Sequence, residues 1–335
     1  MNQNSHVLFY VESRNTDPYF NLALEQFVFD SLDASYSFFM LWQNHNSIIV
    51  GKHQNTHAEI NAAAVKELGI NVVRRLSGGG AVYHDMGNLN YTFITNAGAD
   101  DAFDFSAFYG PIKDALVSFG VPVETSGRND MTVQGKKFSG NAQYLKRGRV
   151  LHHGTILYDS DLEMLSRALK VSNDKIESRG IRSVRGRVAN IRPYMKKDLS
   201  IGEFWNALIK HIFESFSMRE YVLSTEEITK VEELKERVYS QWAWNYGASP
   251  PHNVRKTRRV EGCGTFEILL DVGDLGIIKN VAFYGDFFGN VEPVLLAEML
   301  KGLRLERSEL AGALRNVDIS AFFHNLDAET FLDML

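Results

Sequence analysis

The sequence predicts an α+β chain, with a large first domain over residues 1–248 and a small α+β accessory domain over 252–335. Three observations carry that expectation. Strand-like segments over 137–146 and 149–159 meet at Arg147-Gly148, so they fold back on one another. Apolar residues recur at helical spacing in Leu22, Leu24, Phe27 and Val28, and again in Ile201, Phe204, Trp205, Leu208, Ile212 and Phe216. Late in the chain comes Ser249-Pro250-Pro251, and consecutive prolines cannot continue a helix. The length, 335 residues, also exceeds the ~250–300 at which single cores stop growing.

Taken in order, a helix over 18–32 has Asp17 as its N-cap and Pro18 at its first position. Ser47-Ile48-Ile49-Val50-Gly51 is a buried strand ending in a turn. A helix over 58–68 stops at Gly69. Strands at 72–76 and 89–94 flank a glycine-rich turn, and a helix over 105–119 carries Pro111 in its early turns. Ser200 with Glu203, and Ser224 with Glu227, have capping-box spacing. The apolar stripe after Ser200 packs on a core. Beyond the prolines, alternation over 265–271 and 277–284 gives a sheet, followed by helices from about Val291, Arg307 and Asp318.

Composition narrows the function classes. Hydrophobic residues at 44% and charged residues at 23% are ordinary for a soluble protein. A net charge of −5 speaks against a general nucleic-acid binder. No apolar stretch approaches the ~20 residues that cross a bilayer, so no membrane partner is expected. The opening Met1-Asn2-Gln3-Asn4-Ser5-His6 lacks the basic and apolar regions of a signal peptide, and a cytoplasmic protein is expected. Cys263 is the single cysteine, which excludes an intramolecular disulfide and a multi-cysteine zinc site.

Four segments carry chemistry. In Arg74-Arg75-Leu76-Ser77-Gly78-Gly79-Gly80-Ala81-Val82-Tyr83-His84-Asp85, three glycines allow close backbone approach to an anion, with two arginines as fixed charge. A flexible hairpin turn with solvated arginines is the structural alternative. Gly127-Arg128-Asn129-Asp130 and Gly135-Lys136-Lys137-Phe138-Ser139-Gly140 can direct an ammonium into a cleft, or can be surface lysines on a hairpin; spacing favours the latter. His152-His153-Gly154-Thr155 places adjacent histidines on opposite faces of a strand, so they do not share a metal ion. Finally, 173–197 holds eight Lys/Arg against two Asp/Glu, as a mobile basic loop or an anion-clamping lid that attracts an acidic partner.

Together these segments resemble the lipoate–protein ligase family, in order and over nearly the whole chain. The shared features run from Asn21-Leu22-Ala23, Trp42-Gln43-Asn44 and Gln54-Asn55 through Arg74–Gly80 with Asn88. They continue through Gly127–Asp130, Lys137-Phe138-Ser139-Gly140, His152–Thr155 and Gly180-Ile181-Arg182-Ser183-Val184-Arg185. Tyr284-Gly285-Asp286-Phe287-Phe288 resembles the accessory domain of the two-domain ligases. The resemblance implies a mixed, largely antiparallel sheet with flanking helices, the biotin and lipoate ligase catalytic fold. It implies an enzyme that uses ATP and Mg²⁺ to convert lipoate to lipoyl-AMP. The lipoyl group then passes to a lysine of the lipoyl domains of 2-oxoacid dehydrogenase E2 subunits or of the glycine cleavage H protein.

By motif match, the resemblance implies that Lys137 is the active-site lysine; it is preferred to the alternative, Lys136, because it directly precedes Phe138-Ser139-Gly140. ATP or adenylate contacts fall to Arg75, Gly80, Ala81, Val82, Tyr83, Asn88, Asp130, Lys137, Arg182, Ser183 and Val184. Lipoate contacts fall to Arg75, Ser77, Gly78, Gly79, Lys137, His153 and Gly154. No metal ligands are assigned. An ATP-independent octanoyl or lipoyl transferase is the nearest rival, but its relatives tend to use a cysteine nucleophile, and Cys263 on its Gly-Cys-Gly turn is expected to be a partly buried structural thiol. Biotin ligase fits less well, because residues around the Arg-Gly-Arg tripeptides at 147–149 and 185–187 match poorly. A non-catalytic carrier-binding module would keep the fold without turning over ATP.

Overall fold

The computed structural model describes residues 7–96, 105–126, 129–169, 186–247 and 252–335. These form two compact units. One comprises the chain to Val50, Glu59–Arg74 and Ala81–Asn245; the other comprises Gly51–Ala58, Arg75–Gly80 and the chain from Tyr246. Two short segments from the N-terminal half thus belong with the C-terminal unit.

The first unit is built on strands β1 (Leu8–Glu12), β2 (Ser37–Trp42), β3 (Ser47–Val50), β4 (Asn71–Arg74), β5 (Val82–His84), β6 (Asn88–Asn96), β7 (Val123–Ser126), β8 (Asp130–Val133), β9 (Lys136–Lys146), β10 (Arg149–Leu157) and β11 (Met218–Glu220). An eight-stranded sheet has the order β11-β1-β2-β6-β10-β9-β8-β7, and a three-stranded sheet the order β4-β3-β5. Pairing is parallel at β11-β1, β1-β2 and β3-β4, and antiparallel elsewhere. The sheet is mixed and largely antiparallel, as the resemblance implied.

Both faces of the large sheet are covered. Along β2, Phe39 and Leu41 enter one core with Phe93, Phe108, Ile112 and Phe204, while Phe38, Met40 and Trp42 enter another with Leu22, Phe27, Val28 and Ile49. This double burial explains why β2 is a continuous apolar run without alternation. Helix α1 (Pro18–Ser31) starts as expected, with Asp17 Oδ1 accepting from the Tyr19 amide at 2.9 Å. Both capping boxes form, at Ser200/Glu203 and Ser224/Glu227. Phe204, Trp205, Leu208 and Ile212 are buried, so that stripe is structural.

Two expectations need correction. The helix over 58–68 is broken into Thr56–Glu59 and Ala62–Glu67, because Ile60 makes a bridge to Leu169 and Asn61 caps the second piece. The strands flanking the glycine-rich turn are not partners in one sheet. β4 and β5 lie on either side of β3, whereas β6 belongs to the large sheet. The glycine segment therefore joins two strands that are not neighbours and is not a hairpin turn.

The β9–β10 hairpin does form, with Arg147 at φ 53° and Gly148 at φ 74°, the left-handed pair that a tight two-residue connection needs. Its register runs to Gly154 opposite Asn141, and β10 continues past that point to Leu157. On its other side β9 carries a bulge. Met131 faces Ser139 and Thr132 faces Lys137, leaving Phe138 as an extra residue that is wholly buried in the core.

The second unit has its own antiparallel sheet, β12 (Val254–Val260), β13 (Gly264–Val272) and β14 (Ile278–Gly285), packed on helices Pro293–Leu300, Arg307–Ala313, Ile319–Phe322 and Ala328–Met334. Phe266, Ile268, Leu270, Phe287, Leu296 and Phe323 form its core, with Cys263 fully buried among them. Because Phe138 is both core residue and bulge, Phe138→Ala should destabilise the protein by about 3–5 kcal/mol, read as a lower urea midpoint.

Candidate active site

The bulge at Phe138 determines where Lys137 goes. Ser139 and Asn141 share the face of β9 that meets Tyr91, and Phe138 joins that buried side, so Lys137 falls on the other face. There its side chain lies across Gly140. A Cβ at Gly140 would sit 2.8 Å from Lys137 Nζ and 2.9 Å from Cε. The ammonium pairs with Asp130 Oδ1 at 2.7 Å, and both side chains stay about one-third exposed, at 39% and 32%. Lys136, by contrast, is exposed. The chemistry available is a cation held by one carboxylate over a residue that has no side chain.

The buried face below is a fixed amide–imidazole network. Asn141 Oδ1 accepts from the Tyr91 hydroxyl and from His152 Nε2 at 3.1 Å, while Gln143 Nε2 donates to His152 Nδ1 at 3.1 Å. Asn141 is also tied three ways to Asn129: N to O at 2.9 Å, Nδ2 to O at 3.1 Å, and Asn129 Nδ2 to Asn141 O at 2.7 Å. That ties down the residue before Asp130, and with it the carboxylate facing Lys137. His152 stacks on Phe108, with ring centroids 5.0 Å apart. Burial, and secondarily His153, hold its imidazole well below the usual 6.5.

On the Lys137 face, β10 presents His153 and Thr155. His153 Nδ1 donates to Glu25 Oε1 at 2.8 Å, Thr92 Oγ1 donates to the same oxygen at 2.7 Å, and Trp42 Nε1 donates to Thr92 at 2.9 Å. Glu25 is 1% exposed, and a carboxyl so buried is tolerable only with these donors. Glu25 and Thr92 escaped sequence reasoning, whereas Trp42 entered it only as part of the motif Trp42-Gln43-Asn44. The one available signal was a carboxylate among the apolar residues of α1. Asn88 and Asn90 share this face, joined by an Asn88 Nδ2 to Asn90 Oδ1 bond of 2.9 Å. Gly154 faces the other way, because a Cβ there would strike Asn141 Oδ1 and the Tyr91 hydroxyl. It makes room for protein atoms on the His152 side.

The two arginines of the glycine-rich segment have separate tasks. Arg74 is buried in the first unit, with Nε donating to Trp244 O at 2.9 Å and its amide to Asn245 Oδ1 at 2.9 Å. In the second unit Arg75 is 5% exposed; its Nε donates to Ser77 Oγ at 3.0 Å, and its Nη2 to Gly78 O at 2.7 Å and Gly80 O at 2.8 Å. Neither is a solvated arginine. Gly79 has φ 85°, and any Cβ on it would lie 3.1 Å from Arg75 Nη2 and 3.2 Å from the Phe288 ring. Gly78 abuts the Phe287 carbonyl. Arg75, Ser77, Gly78, Gly79 and Gly80 thus form one tight turn.

Ala81 and Val82 are half-buried, and Tyr83 is buried with its hydroxyl donating to Asn46 Oδ1 at 3.0 Å. Burial, then Asp85 and Asp161, push that phenol up to about 12. Gly127, Arg128, Arg182, Ser183 and Val184 lie outside the described residues. The later part of the basic stretch is anchored and not a free loop: Ile191 N donates to Leu157 O at 2.8 Å, and Arg192 pairs with Asp159 at 2.6 Å and Asp198 at 2.7 Å.

Residues 17–213 match the family model described as the lipoyl protein ligase A/B catalytic domain, and 249–335 match the bacterial lipoate protein ligase C-terminus. The chain belongs to the lipoyl protein ligase A/B family. It is 41% identical to lipoate-protein ligase LplJ of Bacillus subtilis, over 98% of this ligase-family chain and all of that one. It is likewise 41% identical to lipoate–protein ligase 1 of Staphylococcus aureus, over 96% and 97%. Among solved structures, P. falciparum LipL1 in complex with lipoate aligns with a TM-score of 0.78 at 25% identity, covering 97% of each chain. A lipoate-protein ligase A bound with ATP aligns with a TM-score of 0.60 at 28% identity, covering 72% of this chain and 99% of that one.

The neutral His152 has a measurable consequence for this ligase-family chain. The unfolded protein takes up a proton on that imidazole near pH 6.5, whereas the folded protein does so only at lower pH. Stability is therefore lost as pH falls below ~6.5, by up to about 1.4 kcal/mol per unit. Urea unfolding of His152→Gln between pH 7 and pH 5 should show a shallower slope than the wild type; equal slopes would contradict a neutral imidazole.

Proposed function

We propose that this chain is an ATP-dependent lipoate–protein ligase in which Lys137 is the catalytic cation. The observation that carries the reading is the Lys137 ammonium laid across Gly140 and held by Asp130, where a ligand would meet a charge and no Cβ. It gains support from relatives named lipoate-protein ligase and from related structures that hold lipoate or ATP.

In the first step the lipoate carboxylate attacks the α-phosphorus of ATP, forming the mixed anhydride lipoyl-AMP and releasing pyrophosphate. Two anions must approach. At ~4 Å their repulsion is roughly 1 kcal/mol in water but about 4 kcal/mol at an effective dielectric of 20. An ammonium that leaves Asp130 for the gap between them offsets that repulsion as it develops, which is electrostatic stabilisation by a preplaced donor. Arg75, Ser77 and Gly78–Val82, with Tyr83, Asn88 and the segment bearing Arg182, Ser183 and Val184, are assigned to nucleotide and acyl contacts. His153 is assigned to the acyl pocket, where its bond to Glu25 fixes its orientation. Burying four methylenes of the lipoate tail contributes about 3 kcal/mol at ~0.8 kcal/mol each.

Mg²⁺ accompanies the nucleotide in this proposal. Among the described residues no group of three or more His, Cys, Asp or Glu could hold a metal ion. Asp130 would supply one carboxylate, in keeping with the habit of Mg²⁺ of binding through one or two carboxylates plus substrate phosphates.

In the second step an acceptor lysine attacks the acyl carbonyl, and AMP leaves. No enzyme nucleophile is consumed. Cys263, the sole cysteine, is fully buried in the second unit, which weighs against a cysteine-dependent transferase. Lipoyl domains of 2-oxoacid dehydrogenase E2 subunits or the glycine cleavage H protein are the acceptors we assign; the related T. acidophilum ligase was solved in a study of its E2 lipoyl domain. A cytoplasmic site of action belongs to the same proposal.

Purified protein should release pyrophosphate from ATP only when lipoate is present, and Lys137→Ala should lower that rate by at least ~10²-fold. Near-normal release by the variant would remove Lys137 from the mechanism, and no release by the wild type would leave a non-catalytic carrier-binding module as the better reading.

A further inference from the structure

We propose that the strap formed by Arg187, Val188 and Ala189 aims Lys137, making these three residues positioning residues for the activation step. The proposal rests on the reading of Lys137 given above. The last residue of β9 paired to β10 is Asn141, opposite Gly154, so the backbone near Lys137 needs other partners on that side. The strap supplies them. Lys137 N donates to Arg187 O at 2.8 Å, Ala189 N donates to Lys137 O at 3.0 Å, and Val188 forms a parallel bridge with Lys137.

The far end of the strap is fastened to the exit of β10. Ile191 N donates to Leu157 O at 2.8 Å and Arg192 N to Tyr158 O at 3.1 Å. Asn190 bonds both polar groups of the Ser160 backbone, accepting at 3.0 Å and donating at 2.9 Å. The strap therefore fills the wedge between β9 and β10, gripping Lys137 on one side and β10 on the other.

This grip matters because of the bulge. A one-residue slip of β9 exchanges the faces of neighbouring side chains, which would send residue 137 toward the core and residue 138 toward the site. The Asp130 partner cannot prevent this alone, since an ion pair that is one-third exposed contributes little. Core packing of Phe138 and the two strap bonds together select the register in which the ammonium crosses Gly140. Val188 and Ala189 need no contact with substrate to do this.

Ala189→Pro deletes the N–H that Lys137 O accepts. In that variant we expect the kcat of lipoate-dependent pyrophosphate release to fall at least tenfold, with KM for ATP and lipoate within threefold of wild type. Ala189→Gly, which keeps the N–H, should stay within twofold. A second readout separates aiming from general damage: acetylation of Lys137 by acetic anhydride, measured by mass spectrometry relative to Lys146 in the same sample, should change at least threefold in Ala189→Pro only. A folded Ala189→Pro protein with kcat within threefold of wild type, or with an unchanged Lys137/Lys146 ratio, overturns the proposal. Should Ala189→Pro fail to fold, Asn190→Ala releases the same strap from Ser160 and is judged by the same two criteria. Full activity of Lys137→Ala would instead sink the reading of the lysine itself, whereas an inactive Lys137→Ala beside a normal Ala189→Pro sinks the strap alone.

Discussion

An extra residue in one strand, Phe138, decides on which face of a sheet a positive charge emerges. Strand geometry alternates side chains strictly, so a lysine next to a core phenylalanine is ordinarily forced to the opposite side from it and to the same side as every second residue. Here the bulge lets Phe138 and Ser139 both serve the buried side, and Lys137 is left on the face where Gly140 provides space. A hydrogen-bond network beneath the sheet holds the neighbouring residues in place. Asn141 ties down Asn129 and thereby Asp130, and His152 and Gln143 hold Asn141. Each layer restricts the one above it.

In the proposed mechanism the Lys137–Asp130 pair is a resting position. Its exposure makes it a poor source of stability, and a poor source of stability is easy to exchange for a ligand. The contrast is with Glu25, whose carboxyl is almost entirely buried and held by His153 and Thr92. Removing a partner from that group leaves a buried polar atom unsatisfied, which is costly. One carboxylate is built to let go and the other to stay. Arg75 resembles the second kind: its guanidinium donates to Ser77, Gly78 and Gly80, so the turn is held by its own hydrogen bonds.

Much of this was legible in the residues, for physical reasons. The β9–β10 hairpin could be read because Arg147-Gly148 accepts positive φ, and the capping boxes because Ser and Glu at that spacing satisfy each other's backbone. β2 could not be read, since a strand buried on both faces has no period. β12, Val-Arg-Lys-Thr-Arg-Arg-Val, was hidden for the opposite reason: as an edge strand it is dominated by charge, which edges use to block further pairing. Motif matching singled out Lys137 as a candidate, but neither spacing nor motif revealed the bulge, because Phe138 looks like any apolar residue in a strand. The Arg74-Arg75 pair looked like one anion-binding unit. Tertiary contacts assign Arg74 to Trp244 and Asn245 instead.

The most direct test of the central claim is a crystal structure with a non-hydrolysable sulfamoyl analogue of lipoyl adenylate. Lys137 Nζ should have left Asp130 and should lie within hydrogen-bonding distance of both the acyl oxygen and the sulfamoyl group that replaces the phosphate. An ammonium that remains on Asp130, or turns to solvent while the analogue sits elsewhere, would contradict the account.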